Sequence, residues 1–335
     1  MPNNIAVLGG GSWGIAVANL LNMNGSNVSI WEFNPADYES LIENRQNKVK
    51  LPGVIIPDRI EIYNDLAEAV EGRSIICLAI PSHTVADVCR QLDAVELDRE
   101  ITFLNLAKGI DTETLQRMSE VIIENLQRAD SSNVATLSGP SHAEEVAQGM
   151  PTSVVIGCSD EDRAGYLRDI FSNHFFRAYS SPDIIGVETG GAFKNVIAIA
   201  SGILDGLSGG DNAKGALFTR GLAEILRLGV AMGANPLTFA GLSGLGDLVT
   251  TCISRHSRNR TFGEKIGKGS SFESALAEMT MVVEGVKTTE AAYKLMSEYG
   301  IEMPITVQVH EILFNSKDPQ SALLDLMTRD LKSEF

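Results

Sequence analysis

From Ile5 to about Tyr179 the chain alternates between short β-rich apolar runs and stretches of turn and helical periodicity. The runs are Ile5 to Leu8, Asn27 to Trp31, Ile60 to Tyr63, Ser74 to Ile80, Ile101 to Leu106, Val134 to Ser138, Ser153 to Gly157 and Phe175 to Tyr179. Nearly continuous apolar runs separated by helices belong to a parallel sheet covered on both faces. The expected class is therefore α/β with a doubly wound sheet. Past Pro182 the strand pattern fades into Ala-, Leu- and Gly-rich segments of helical spacing: Val187 to Leu204, Ala213 to Met232, Phe272 to Met279 and Thr288 to Tyr299, with Gly300 as a helix stop. A length of 335 residues accommodates about two domains. A sheet domain over 1–182 and a mainly helical domain over 183–335 are expected, with the seam at Ser180-Ser181-Pro182-Asp183.

In a doubly wound sheet, ligands sit beyond the carboxyl ends of the strands, so the residues after each run are the first place to look for chemistry. After the first run comes Gly9-Gly10-Gly11-Ser12-Trp13-Gly14, a G-x-G-x-x-G that opens an Ala-rich helix closed by Gly25. Gly9 would permit the tight turn, Gly11 the approach of backbone N–H groups to a pyrophosphate, and Gly14 close packing of helix on strand. This placement suggests a Rossmann-like, dinucleotide-binding domain. Glu32, at the end of the second run, stands where an acid would accept hydrogen bonds from an adenosine ribose; a solvated charge at a strand end is the competing reading.

With 27 basic and 43 acidic residues the formal charge is −16, which repels nucleic acid and anionic membrane and requires any anionic ligand to meet locally placed cations. Three places offer them. Lys108 follows the fifth run, where it either faces the cleft or is a surface lysine. Lys194, in Gly190-Gly191-Ala192-Phe193-Lys194-Asn195-Val196, lies in an otherwise apolar helix of small residues. A lysine desolvated there has its pKa lowered toward the range useful for proton transfer. Asp247, in Gly244-Leu245-Gly246-Asp247, is a carboxylate that could pair with such a lysine or merely cap a helix. Arg255-His256-Ser257-Arg258-Asn259-Arg260 is the densest basic cluster, suited to a phosphate or else a solvated turn.

The histidines at 83, 142, 174, 256 and 310 form no constellation and read as packing or surface residues. Cys77, Cys89, Cys158 and Cys252 are scattered, suggesting neither a metal site nor a disulfide framework. No run approaches the roughly 20 apolar residues of a membrane span, and the N-terminus carries no signal-type pattern. A reduced, cytoplasmic, metal-free protein is expected, without membrane insertion or nucleic acid; a homodimer is compatible but not selected by anything in the sequence.

Seven ordered motifs resemble the NAD(P)-dependent sn-glycerol-3-phosphate dehydrogenase family in its short soluble bacterial form. They are Gly9 to Gly14, Ala107-Lys108-Gly109, Leu137 to Ala143, Gly190 to Asn195, Gly244 to Leu248, Ser257 to Arg260 and Val282-Val283-Glu284-Gly285. The resemblance runs from Ile5 to about Ile305. It implies reversible hydride transfer between NAD or NADP and C2 of dihydroxyacetone phosphate, giving sn-glycerol 3-phosphate for phospholipid synthesis. By the same resemblance Ser12 and Trp13 lie against the cofactor pyrophosphate, Phe33 on the adenosine side, and Lys108 against both cofactor and substrate. Gly139 and Ser141 resemble substrate contacts, Ala143 a cofactor contact, Lys194 the proton donor and acceptor, and Asp247 its partner and a substrate contact. Ser257, Arg258 and Asn259 would hold the substrate phosphate, with Arg258 also near the dinucleotide, and Val282 and Glu284 resemble nicotinamide-side contacts. Ser141 stands where many relatives carry Thr, which keeps the hydroxyl.

Glu32 favours NADH modestly, although Arg45 and Lys48 could swing toward the 2′-phosphate of NADPH. Two other readings compete. A β-hydroxyacid dehydrogenase resembles a G-x-x-x-K-x-x-N pattern, but here Asn195 is adjacent to Lys194 and position 197 is Ile. A catalytically silent dinucleotide sensor would keep the glycine loop and lose Lys108, Lys194, Asp247 and Arg258.

Overall fold

The computed structural model describes residues 2–97, 101–331 and 333–334. Eight strands form one sheet: β1 (Asn4–Leu8), β2 (Asn27–Trp31), β3 (Glu61–Tyr63), β4 (Ile75–Leu78), β5 (Thr102–Asn105), β6 (Val134–Ser138), β7 (Thr152–Gly157) and β8 (Phe176–Ser181). Each falls within a residue or two of an expected run. Fifteen α-helices accompany them among the described residues. On the sheet side these are α1 (Ser12–Met23), α2 (Pro35–Asn44), α3 (Leu66–Val70), α4 (Val85–Asp93), α5 (Met118–Asn125), α6 (Ala143–Ala147) and α7 (Glu161–Phe171). After β8 follow α8 (Ile184–Gly206), α9 (Gly210–Ala231), α10 (Asp247–Ile253), α11 (Arg258–Gly267), α12 (Phe272–Ala277), α13 (Glu284–Glu298), α14 (Pro304–Phe314) and α15 (Pro319–Met327).

The strand order is β3-β2-β1-β4-β5-β6-β7-β8, and it reverses between β1 and β4. Leu8 is in register with both Trp31 and Leu78, and Leu78 with Asn105, so the carboxyl ends of β2, β1, β4 and β5 finish at one level. Where the order reverses, the flanking crossovers diverge and leave a crevice at those ends. The sheet departs from the all-parallel expectation at one place, because β7 runs antiparallel to β6. The connection between them is spent on a turn at 139–142 and the five-residue α6, and the chain returns as a hairpin-like excursion rather than a full crossover.

Alternate strand residues supply two cores. Ile5 and Val7 pack with Ile15 and Val17 of α1 on one face, while Ala6 and Leu8 pack with Val88 of α4 and Val121 of α5 on the other. A third core belongs to the helical part, around Phe193, Ile197, Phe239 and Phe262. Its axis is α8, 23 residues long and buried along most of its length. Near its start, Glu188 accepts hydrogen bonds from Arg117 (2.8 Å), the Ser119 backbone (2.8 Å) and the Ser119 hydroxyl (2.6 Å), which fastens α8 to the start of α5. Among the described residues no helix is long and apolar enough to cross a membrane.

The crossing of α8 with α11 brings the two backbones into contact. A Cβ on Gly202 would lie 1.9 Å from the Arg260 carbonyl oxygen, and one on Gly263 would lie 2.1 Å from that of Ile199. This contact sets the distance between Lys194, earlier on α8, and the first residues of α11. Gly202→Ala should therefore destabilise the protein by about 1–3 kcal/mol through overpacking, although alanine is the better helix former by about 1 kcal/mol. Urea denaturation measures this, and a stabilised variant would contradict the close crossing.

Candidate active site

A cleft of about 750 Å³ opens at the carboxyl ends of β1 and β4 and is lined on its far side by α8, α10, α11 and the segment 279–287. At its sheet end lies the glycine loop. Gly9 has a φ of +115°, a Cβ on Gly14 would lie 1.9 Å from the Gly9 carbonyl oxygen, and a Cβ on Gly11 would meet nothing within 4 Å. Gly9 and Gly14 thus build the turn, whereas Gly11 faces open space. Trp13 borders the same space, and its indole N–H is buried without a partner among the described residues. A backbone open to the cleft at a helix N-terminus, with an orphaned donor beside it, fits the pyrophosphate of a dinucleotide.

Glu32 is 2 % exposed, not a solvated charge. Its carboxylate accepts from the backbone N–H of Gly10 (3.1 Å) and of Asn34 (3.0 Å), so it clamps the glycine loop to the end of β2. Burial raises its pKa, against the Asn34 hydrogen bond and the charge of Lys50. Phe33 stands 65 % exposed at the rim. Arg45 is not free to swing toward this end of the cleft. Its backbone is left-handed, at a φ of 50°, and its guanidinium donates to the carbonyls of Ile56, Pro57 and Ile60. Lys48 is turned to Asn44 (2.7 Å). The cation that does line the cleft beside Glu32 and Phe33 is Lys50, paired with Asp37 at 2.8 Å. Nothing in its loop context marks it in the sequence.

Deeper in, Lys108, Lys194 and Asp247 converge. Lys194 Nζ lies 2.9 Å from one carboxylate oxygen of Asp247, and Lys108 Nζ lies 2.7 Å from the other. Lys194 also donates to the Thr251 hydroxyl (2.6 Å), and Lys108 to the Gly139 carbonyl (2.9 Å), which also receives the Ser141 hydroxyl (2.9 Å). The side chains of Lys194 and Asp247 are 7 % and 3 % exposed. Burial lowers the Lys194 pKa to about 8, with Asp247 opposing and Lys108 adding to the fall. For Asp247 burial acts upward, but the two ammonium groups prevail and its pKa is lowered. Asp247 is the first residue of α10, not its cap, and Thr251 follows one turn later on the same face. That i, i+4 spacing was the available signal for Thr251, which sequence reasoning missed.

The remaining expected residues divide by what they touch. Ser257 caps α11, its hydroxyl accepting from Arg260 N–H (3.2 Å), and Arg258 lines the cleft and donates to the Val282 carbonyl (3.1 Å). Arg260 is turned away to Asp205 (2.6 Å), so the basic cluster offers the cleft Arg258 alone of its arginines. Asn259 has its amide engaged within the protein: it donates to Asn195 (2.9 Å) and accepts from the Gly285 N–H (2.9 Å). Asn195 in turn donates to the Lys108 carbonyl (3.2 Å), which makes a rail from the loop after β5 through α8 and α11 to α13. Glu284 spans the cleft mouth to Ser82, accepting from its N–H (3.1 Å) and hydroxyl (2.6 Å). Ala143 is buried at the start of α6, and Val282 lies in the cleft wall.

Comparison with known proteins agrees with this architecture. The family model for the N-terminus of NAD-dependent glycerol-3-phosphate dehydrogenase matches residues 4–164, and that for its C-terminus matches 183–324. The chain belongs to this family. It is 48 % identical over 331 residues to the glycerol-3-phosphate dehydrogenase [NAD(P)+] of Fusobacterium nucleatum, covering 99 % of this chain and 98 % of that protein. The corresponding protein of a Thermoanaerobacter species is 50 % identical, with the same coverage. The crystal structure of glycerol-3-phosphate dehydrogenase from Coxiella burnetii superimposes with a TM-score of 0.93 at 36 % identity, covering 98 % of this chain and 99 % of that one.

For this family member, Glu32→Ala should cost about 1–3 kcal/mol of folding stability without any nucleotide, because the buried Gly10 N–H and the partly buried Asn34 N–H lose their acceptor. Denaturation of the ligand-free protein measures this. Unchanged stability would contradict the clamp.

Proposed function

We propose that the chain catalyses reversible NAD(P)-dependent interconversion of dihydroxyacetone phosphate and sn-glycerol 3-phosphate, supplying the latter for phospholipid synthesis. The observation that carries this reading is the convergence of two lysines on one buried carboxylate between the glycine loop and the start of α11. When bound, the nicotinamide supplies or accepts the hydride at C2. The chain's own residues handle the proton and the charge. Lys194, as an ammonium, stabilises the oxygen of the carbonyl and delivers a proton to it; as the free amine it takes the proton back in oxidation. Asp247 holds that amine in place, and Lys108 from the other side adds positive charge where the oxygen becomes negative.

Gly9, Gly11, Ser12, Trp13 and Gly14 would hold the pyrophosphate, with Phe33 and Glu32 at the adenosine end. Lys108, Gly139, Ser141, Lys194 and Asp247 would meet the substrate, and Ser257 and Arg258 its phosphate, with Asn259 beside them. Arg258, Ala143, Val282 and Glu284 would border the dinucleotide. Both dinucleotides are used, NADH modestly preferred, because the Glu32 carboxylate stands at the adenosine end and the neighbouring Lys50 is neutralised by Asp37. The reading places the protein in a reducing cytoplasm, where its four buried cysteines would remain thiols. The sheet part, 1–182, and the helical part, 183–335, would act as cofactor and substrate domains. A homodimer remains the assembly to test by sedimentation.

Oxidation of NADH and NADPH with dihydroxyacetone phosphate tests the function directly; no turnover would leave a dinucleotide sensor. Arg258→Ala should raise KM for dihydroxyacetone phosphate by roughly 10–100-fold, the effect of losing a charge-assisted hydrogen bond of about 1.5–3 kcal/mol. The values for unphosphorylated dihydroxyacetone should hardly move. Equal weakening of both substrates would remove Arg258 from the phosphate site.

A further inference from the structure

Two of the histidines that read as packing or surface residues in the sequence meet inside the cleft. His142, the residue before α6, and His256, the residue before Ser257, face each other with ring centroids 5.8 Å apart and planes inclined at 49°. Both line the cleft, together with Lys194, Asp247 and Arg258. The Nε2 of His142 is shielded from solvent and has no hydrogen-bond partner among the described residues. A buried imidazole nitrogen left unpaired is costly, and buried polar atoms without a protein partner mark places where a ligand completes the set.

The surroundings fix what kind of group His142 is. Burial and the ammonium of Lys194 press its pKa down to about 4, Asp247 opposing and Lys108 and His256 adding to the fall. It is therefore neutral near pH 7 and offers one N–H and one lone pair. The carbonyl side of the substrate already has Lys194 and Lys108. His142 stands between that side and the segment that begins α11, against the residue next to Ser257. A neutral donor there can orient a phosphate without adding another buried charge to a site that already holds two ammonium groups against one carboxylate.

We propose that His142 is a substrate-positioning residue whose Nε2 hydrogen-bonds the phosphate end of the substrate, with the His256 ring as the wall that aims it. This rests on the proposed function, so wild-type turnover of dihydroxyacetone phosphate is read first; its absence would overturn both. Given turnover, His142→Phe keeps the ring and removes the nitrogens. It should raise KM for dihydroxyacetone phosphate about 5- to 100-fold, with a smaller change in kcat. The dissociation constant of NADH and the kinetics with dihydroxyacetone should be unaltered. His142→Gln, which restores a nitrogen at similar reach, should recover most of the loss. An unchanged KM in His142→Phe overturns the inference, as does a folded His142→Gln as impaired as the Phe variant, or an equal loss with dihydroxyacetone. Where the Phe variant fails to fold, the wild-type protein labelled with ¹⁵N-histidine decides. The His142 Nε2 resonance should move on addition of glycerol 3-phosphate and not of glycerol, and a stationary resonance overturns the assignment.

Discussion

One buried carboxylate holds the site together. Asp247 receives Lys194 on one oxygen and Lys108 on the other, from two different parts of the fold. Taking three charges out of water is expensive, and a buried ion pair is weak evidence of stability by itself. The arrangement has a different consequence. It leaves one net positive charge in the cleft of a chain whose formal charge is −16, and with Arg258 on the same cleft it gives an anionic substrate local cations to meet. Burial, with Lys108 adding to it and Asp247 opposing it, lowers the Lys194 pKa to about 8, where ammonium and amine are both populated near neutral pH.

The rest of the structure serves to bring those groups to one point. Lys108 stands beyond β5 because the strands finish in register at the switch point. Lys194 is placed by α8, which Glu188 fastens to α5 and Gly202 seats against α11. The rail from the Lys108 carbonyl through Asn195 and Asn259 to Gly285 links the loop after β5 to three helices without a charge. On the other side of the cleft, Glu32 clamps the glycine loop and Glu284 reaches Ser82. Carboxylates thus tie backbone at both ends of the cleft.

Much of this was legible in the sequence, for identifiable reasons. Strands buried on both faces carry no charge and read as nearly continuous apolar runs with small hydroxyl residues between, so β2 and β6 could be delimited to the residue. A charge in a small-residue helix marked Lys194, while Asp247, after Gly244 and Gly246, read as a carboxylate able either to pair with such a lysine or to cap a helix. What failed to show was whatever depended on the path of a loop. The antiparallel return of β7 follows from how the 139–151 segment is used, and no periodicity records that. Arg45 and Lys50 are close in sequence, yet only the fold sends the first to the carbonyls of 56–60 and the second to the cleft. Asn259 and Arg260 adjoin Arg258 in a basic cluster, but on a helix neighbours point apart, and each found a partner inside the protein. His142 and His256 are far apart in the chain, and their meeting is a property of tertiary structure alone.

The pH dependence of kcat/KM in both directions, for the wild type and Asp247→Asn, tests the shared carboxylate most directly. In the wild type, reduction needs the Lys194 ammonium and should fall as pH rises through about 8, whereas oxidation needs the free amine and should rise through the same range. Asp247→Asn removes the charge that pulls the Lys194 pKa upward and leaves the repulsion of Lys108, so both transitions should move to lower pH, with a lower plateau. Transitions that stay in place or move to higher pH would contradict control of Lys194 by Asp247.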